Sequence, residues 1–138
     1  MCYTAFVMSN LPSSVDVLNG INSALNSKAA NITALNSINQ RLFEARGDLV
    51  EARNDILNEY NDTTKHPDGQ KELGSNEAAR NATLDSMTQT QKNIVEVLEL
   101  QQTRAQGELA VALIECDRWR YTLRILEVEA GTRALVNA

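Results

Sequence analysis

The stretch that decides the fold is residues 84–130, which read LDSMTQTQKNIVEVLELQQTRAQGELAVALIECDRWRYTLRILEVEA. Seam positions recur along it at alternating steps of three and four, with a single extra step of four between Ala105 and Leu109. The predicted seam comprises Leu84, Met87, Gln91, Ile94, Leu98, Gln101, Ala105, Leu109, Ala112, Cys116, Trp119, Leu123, Leu126 and Ala130. This spacing keeps one face of a long helix directed at a partner helix, which is the requirement for coiled-coil packing.

A second seam runs through residues 14–61 and also follows steps of three and four. Two consecutive steps of three at Ile32, Leu35 and Ile38 predict a local overwinding of the supercoil that does not end the helix. This seam comprises Leu18, Ile21, Leu25, Lys28, Ile32, Leu35, Ile38, Leu42, Ala45, Leu49, Ala52, Ile56 and Tyr60. The two seams predict two long helices that pack against each other.

Start and stop signals set the predicted helix ends. Ser13 is a suitable N-cap for helix one, with Asp16 as the acidic residue three positions on. Ser75 is expected to cap helix two, and Gly131 is expected to end it. The predicted organisation is an irregular arm at 1–12, helix one at about 14–61, a loop at 62–75, helix two at about 76–131 and a tail at 132–138.

The loop is predicted from turn residues at its centre. Pro67 presets its backbone φ angle for a turn, and Gly69 accepts the positive φ angle that follows Asp68. A single loop between two long helices favours an antiparallel arrangement. The predicted fold class is therefore all-α, a long coiled-coil-like antiparallel hairpin that assembles further into a helical bundle or ring. Folding at the loop centre predicts these opposed pairs: Leu18 with Trp119, Leu25 with Ala112, and Ile32 with Ala105.

Composition and charge exclude several classes of function. Only six of the 138 residues are aromatic, which favours thin helix-on-helix packing over a thick core. The net charge of −5, with arginines interleaved among acidic residues, is the opposite of a nucleic-acid-binding surface. No stretch is long and apolar enough to cross a membrane, and residues 2–8 do not match a secretory signal. We therefore expect a protein that is made in the cytoplasm and binds neither nucleic acid nor membrane.

No group of residues in the sequence matches a known chemistry. His66 is the only histidine and is expected to be a solvated turn residue, because a metal site with Asp68 and Glu72 would be short of ligands. Cys116 is expected to pack as a small apolar side chain. A disulfide between Cys116 and Cys2 would require the N-terminus to fold back along helix two. We predict no catalytic residue, no cofactor and no metal.

A second apolar stripe on helix two is the main candidate for binding. The predicted interface residues are Ile114, Trp119, Arg120, Tyr121, Ile125 and Val128. Four of them, all apolar or Tyr, are expected beside the seam, and Val97 and Val111 on another flank. Trp119 belongs to the seam, whereas Arg120 and Tyr121 are directed elsewhere and can face a second subunit. Burial of this stripe predicts self-association as a four-helix bundle, a ring or a trimer; the alternative is a monomer in which the N-terminal arm covers the stripe.

These features lead to two main hypotheses on function. The first is a non-enzymatic assembly protein, a homo-oligomeric building block such as a bacteriophage virion component; the Asn-, Ser- and Gln-rich helices are similar in general style to structural parts of phage particles. The alternative is a small helical binding module that inhibits or bridges a partner protein. A third, an enzyme or ligand carrier, would need polar groups on facing seams, and only Lys28, Gln91 and Gln101 qualify.

Overall fold

The computed structural model describes residues 12–137, and nearly all of them are helical. The helices are α1 (Ser14–Tyr60), a short 3-10 helix (Gly69–Leu73), α2 (Glu77–Met87) and α3 (Gln89–Asn137). No strand occurs among the described residues. Helices α1 and α3 pack together, so the predicted all-α helical hairpin is confirmed. The N-terminal arm that the sequence predicted lies, apart from Pro12, outside the described residues.

The first helix begins at the predicted cap. The Asp16 backbone N–H donates to the Ser13 hydroxyl at 3.2 Å, and the Ser13 N–H donates to the Asp16 carboxylate at 3.4 Å. This reciprocal capping box satisfies two backbone donors at the helix start. At the second start the prediction was wrong by one residue: the Asn76 side chain, and not that of Ser75, accepts from the Ala79 N–H at 2.8 Å.

The second predicted helix differs from the structure at two places. It is divided at Thr88, which is 1% exposed and whose backbone N–H and hydroxyl both donate to the Leu84 carbonyl. Beyond that point α3 continues through Gly131 to Asn137, so the predicted helix end at Gly131 and the tail after it were wrong. A single glycine costs a helix about 1 kcal/mol, and good helix formers such as Ala134 and Leu135 follow it.

The turn in the connecting loop is confirmed. The backbone of Asp68 (φ −90°, ψ 2°) and the bond from the Gly69 N–H to the His66 carbonyl define a type I turn with Pro67 at its second position. Gly69 has a φ of +62°, the positive angle that the sequence predicted for it.

The chain divides into two compact units. The loop unit comprises residues 35–104, and the terminal unit comprises the described residues of 1–34 and 105–138. In the loop unit a buried cluster joins α1 to α3, formed by Leu42, Ala45, Val95 and Leu98 with Leu49 packed against it. Beside this cluster three polar contacts link α1 to the other arm of the hairpin, which is formed by α2 and α3. They join Asn39 to Gln102 at 2.8 Å, Arg46 to Glu99 at 3.1 Å, and Arg53 to Asp85 at 2.5 Å.

The buried and half-buried residues form a more regular seam than the sequence predicted. Steps of three and four alternate without interruption from Val17 to Ile56 and from Leu84 to Trp119; beyond Trp119 the half-buried residues are Thr122, Leu126 and Glu129, and the predicted seam residue Leu123 is exposed. In the loop unit Thr88 and Val95 are buried and Gln102 half-buried, where Met87, Ile94 and Gln101 were predicted. In the terminal unit the buried or half-buried residues are Val17, Ala24 and Asn31, where Leu18, Leu25 and Ile32 were predicted. The overwound segment and the extra step of four therefore do not exist.

The physical reason is the close approach of the arms. Where either of two adjacent residues could have been the seam residue, the larger apolar one was predicted, as with Leu25 instead of Ala24. Close helix packing instead buries small residues such as Ala24, Ala105 and Ala112, each at most 6% exposed.

The predicted register was also displaced. Trp119 packs on Gly20 and not opposite Leu18, and the Cys116 sulfur lies 3.5 Å from the Ala24 carbonyl oxygen. The displacement is less than one helical turn, and it places the indole at a residue of α1 that has no Cβ atom to overlap it.

Candidate functional site

The predicted interface stripe is exposed, but it lies elsewhere on α3 than expected. We call the outer stripe the series that follows steps of three and four through Val111, Ile114, Arg118, Tyr121, Ile125 and Val128. Its five uncharged members are between 50% and 68% exposed. At about 100° per residue the stripe lies opposite the seam that faces α1, and not beside it. Val111, which was predicted to lie on another flank, belongs to the same stripe.

Trp119 and Arg120 are separated from the outer stripe. Trp119 is half-buried on the seam, where a Cβ atom at Gly20 would overlap the six-membered ring of the indole. The indole N–H donates to the Glu115 carboxylate at 3.0 Å, and the Arg118 guanidinium lies 5.8 Å from the ring centroid. Gly20, which reduces helix propensity, is therefore the residue that makes room for the indole.

A shallow apolar groove opens between α1 and α3 in the terminal unit. Its volume is about 200 Å³, and its lining includes Ile21, Ala24, Leu25, Trp119, Arg120 and Leu123. Arg120 forms an ion pair with Asp117 at 3.3 Å and supplies the charged group of an otherwise apolar lining. Cys116 also lines the groove as a free thiol; Cys2, the other half of the disulfide considered above, lies outside the described residues.

A further exposed apolar row, on α1, was missed because its members were assigned to the seam. We call the α1 flank Leu18, Leu25 and Ile32, which are 59%, 51% and 39% exposed. They are spaced by seven residues, and each directly follows a seam residue. The signal that could have identified them is the regular alternation of the seam itself, which passes through the residue before each one.

His66 is packed into the loop, so the predicted solvated position was wrong. Its Nδ1 atom lies 2.6 Å from the Glu72 carboxylate, and Nε2 lies 3.8 Å from Glu59. The imidazole stacks on the Tyr60 ring with centroids 3.9 Å apart. Among residues 12–137 no group of histidine, cysteine or acidic residues is arranged to hold a metal ion. The histidine joins the loop to the end of α1.

Two carboxylates in the loop unit have lowered pKa values with structural causes. Hydrogen bonds from the hydroxyl and backbone N–H of Thr64 lower the pKa of Asp62. The hydrogen bond from Arg53 lowers the pKa of Asp85, and the Lys92 ammonium 3.5 Å away acts in the same direction. Within the described part of the chain every buried polar side-chain atom has a hydrogen-bond partner. The buried polar groups of this unit are thus held in structural contacts.

Comparison with protein-family models, curated proteins and solved structures found no match for this chain. None of the helices in the described range has the length and apolar character needed to cross a membrane. The outer stripe, the groove and the α1 flank, all in the terminal unit, are candidate surfaces for function; the loop unit also exposes apolar side chains, among them Phe43, Val50 and Leu100.

Proposed function

We propose that this chain is a non-enzymatic assembly protein, a helical-hairpin building block that associates with further copies of itself through the outer stripe of α3. The observation that carries the proposal is the exposure of five large side chains in one continuous stripe on the side of α3 that faces away from α1. An exposed apolar surface of this kind is typical of an interface.

The energetics favour association. Burial of one large apolar side chain contributes about 1.5–3 kcal/mol, and these side chains are already held in place on a helix. Association costs on the order of 4–15 kcal/mol in lost freedom of motion. Val111, Ile114, Tyr121, Ile125 and Val128 are between 50% and 68% exposed, so about half to two thirds of that gain remains for each. Summed over two copies it is of the same order as the cost, which supports a second copy as the occupant of the stripe.

The test is the molar mass of the purified chain, measured by light scattering after gel filtration, for wild type and for Ile125→Asp with Val128→Asp. The variant should stay helical by circular dichroism and dissociate, because two carboxylates would have to be buried in the interface. Phe43→Asp with Val50→Asp is the matched control: it adds the same charge at two exposed apolar positions of α1. If the Ile125 and Val128 variant keeps the wild-type mass while folded, the proposal is refuted.

The groove and the α1 flank support the alternative, a binding module that inhibits or bridges a partner protein. An apolar groove of about 200 Å³ beside exposed leucines can accept an apolar side chain from another protein. A monomeric wild type would favour this alternative over self-assembly. Membership of a bacteriophage particle, as the setting of the building block, stays a prediction.

A further inference from the structure

The outer stripe has a mirrored order of side chains. From its centre between Arg118 and Tyr121, an isoleucine and then a valine follow in each direction: Ile114 and Val111 toward the N-terminus, Ile125 and Val128 toward the C-terminus. The steps between members, three, four, three, four and three, are mirrored as well. An antiparallel second copy therefore pairs like side chains in the apolar layers, as a parallel copy in the same register would, and the central Arg118 and Tyr121 decide between the two directions.

We propose that two copies pack antiparallel along α3, with a two-fold axis beside the midpoint of Arg118 and Tyr121. This arrangement rests on the proposed function and adds the geometry and register of the contact. It opposes Val111 to Val128 of the second copy and Ile114 to Ile125, so that both layers pair side chains of the same kind. Because a two-fold axis repeats each contact, every layer occurs twice.

The central layer favours the antiparallel direction. Arg118 of one copy lies opposite Tyr121 of the other, where the guanidinium can stack on the phenol ring. The Arg118 side chain is 70% exposed, and within its own chain it contacts Glu115 at 3.5 Å and lies 5.8 Å from the Trp119 ring centroid. Stacking on Tyr121 of the second copy would use the exposed side of the guanidinium. A parallel pair in the same register would instead place the two Arg118 side chains against each other in the middle of the interface, and like charges in contact are unfavourable.

The charges beside the stripe agree with the same axis. Asp117 and Arg124 occupy equivalent positions on one edge of the stripe, one heptad apart, on either side of its centre. In the antiparallel pair Asp117 of each copy is opposite Arg124 of the other, which gives two contacts between opposite charges. The two-fold arrangement is therefore complementary in its apolar layers, its centre and its edge.

A ring or filament would use a different contact. There the outer stripe of one copy would pack on another surface of the next, such as the α1 flank, and the mirrored order of the stripe would have no role. The two-fold pair closes on itself and predicts a dimer through this surface.

Cysteine cross-linking tests the direction and the register. In a Cys2→Ser and Cys116→Ala background, Val111→Cys and Val128→Cys are made as separate proteins, then oxidised alone or after mixing under reducing conditions. The two positions lie about 25 Å apart along one helix, and a disulfide requires Cα atoms within about 7 Å. The antiparallel pair predicts a disulfide-linked dimer in the mixture, formed at least about tenfold faster than in either protein alone.

The outcomes separate this inference from the proposed function. Cross-linking of each protein alone, with none between the two, would establish a parallel pair and overturn the antiparallel arrangement while self-association stands. An absence of cross-links in a protein that light scattering shows to be a dimer would overturn the register in the same way. A monomeric background protein, with wild type also monomeric, would overturn both proposals. Circular dichroism of each variant confirms that the helices are retained.

Discussion

The loop unit and the terminal unit use the same heptad position of α1 in opposite ways. In the loop unit this position holds Asn39, Arg46 and Arg53, which contact side chains of the other arm and seal the edge of the seam. In the terminal unit the same position holds the α1 flank, Leu18, Leu25 and Ile32, which stay exposed. At this heptad position the loop unit is thus closed by polar contacts within one chain, whereas the terminal unit leaves apolar side chains exposed. Apolar side chains at other positions of the loop unit, such as Phe43 and Leu100, are exposed as well. The change from polar to apolar falls between Ile32 and Asn39, around the boundary of the two units.

The largest expected effect is the difference in stability between truncating a buried core residue of the loop unit and truncating an exposed residue of the α1 flank. Leu42→Ala removes a side chain that is 1% exposed and should lower the free energy of unfolding by about 2–5 kcal/mol. Leu25→Ala, the matched truncation on the α1 flank, should change it by less than about 1 kcal/mol under conditions where the chain is monomeric. Denaturant unfolding followed by circular dichroism measures both. Equal losses would mean that the two units are packed alike.

The next effect is a difference in sign between two glycines of α1. Gly20→Ala should lower the free energy of unfolding by about 1–3 kcal/mol, because the new methyl group would overlap the Trp119 ring. Gly47→Ala, in the loop unit, should raise it by about 0.4–1 kcal/mol, because its Cβ atom would enter open space and alanine favours the helix. Thermal unfolding of the two variants beside wild type is sufficient. Stabilisation by both alanines would show that the indole does not lie on Gly20.

A smaller effect concerns how the stability of the loop unit depends on pH through the contact between Arg53 and Asp85. The lowered pKa of Asp85 means that its carboxylate form stabilises the fold, a contribution present above the usual aspartate range and lost as the pH falls below about 4. Asp85→Asn should therefore make unfolding less dependent on pH between about 5 and 2. In an Arg53→Gln background the same substitution should have little further effect, because Arg53 is the main cause of the shift. Additive effects of the two substitutions would show that this pair does not act together.

Much of this fold is predictable from local signals. The capping box at Ser13, the turn at Gly69 and the two long periodic segments each depend on interactions between near neighbours, and all three agree with the structure. The choice between adjacent positions depends instead on how closely two helices approach. That distance is set by contacts between residues far apart in the sequence, such as Trp119 with Gly20, and it cannot be predicted from the pattern of either helix alone.

The candidate surface was predictable only in part. The exposed residues of the outer stripe were identified because they do not fit the seam. Their position opposite the seam was not predicted, because it depends on which residues the structure places in the seam. The α1 flank was missed for the same reason, since hydrophobicity assigned Leu25 to the interior. His66 was placed in solvent because its partner Glu72 is joined to it only by the fold of the loop.

The most direct test of self-association through the terminal unit is the molar mass of the full chain in solution. It is determined by light scattering over a range of concentrations. The self-association described here predicts a multiple of the 15.2 kDa chain mass that falls to 15.2 kDa in the Ile125→Asp and Val128→Asp variant. A wild-type mass of 15.2 kDa at every concentration would contradict it.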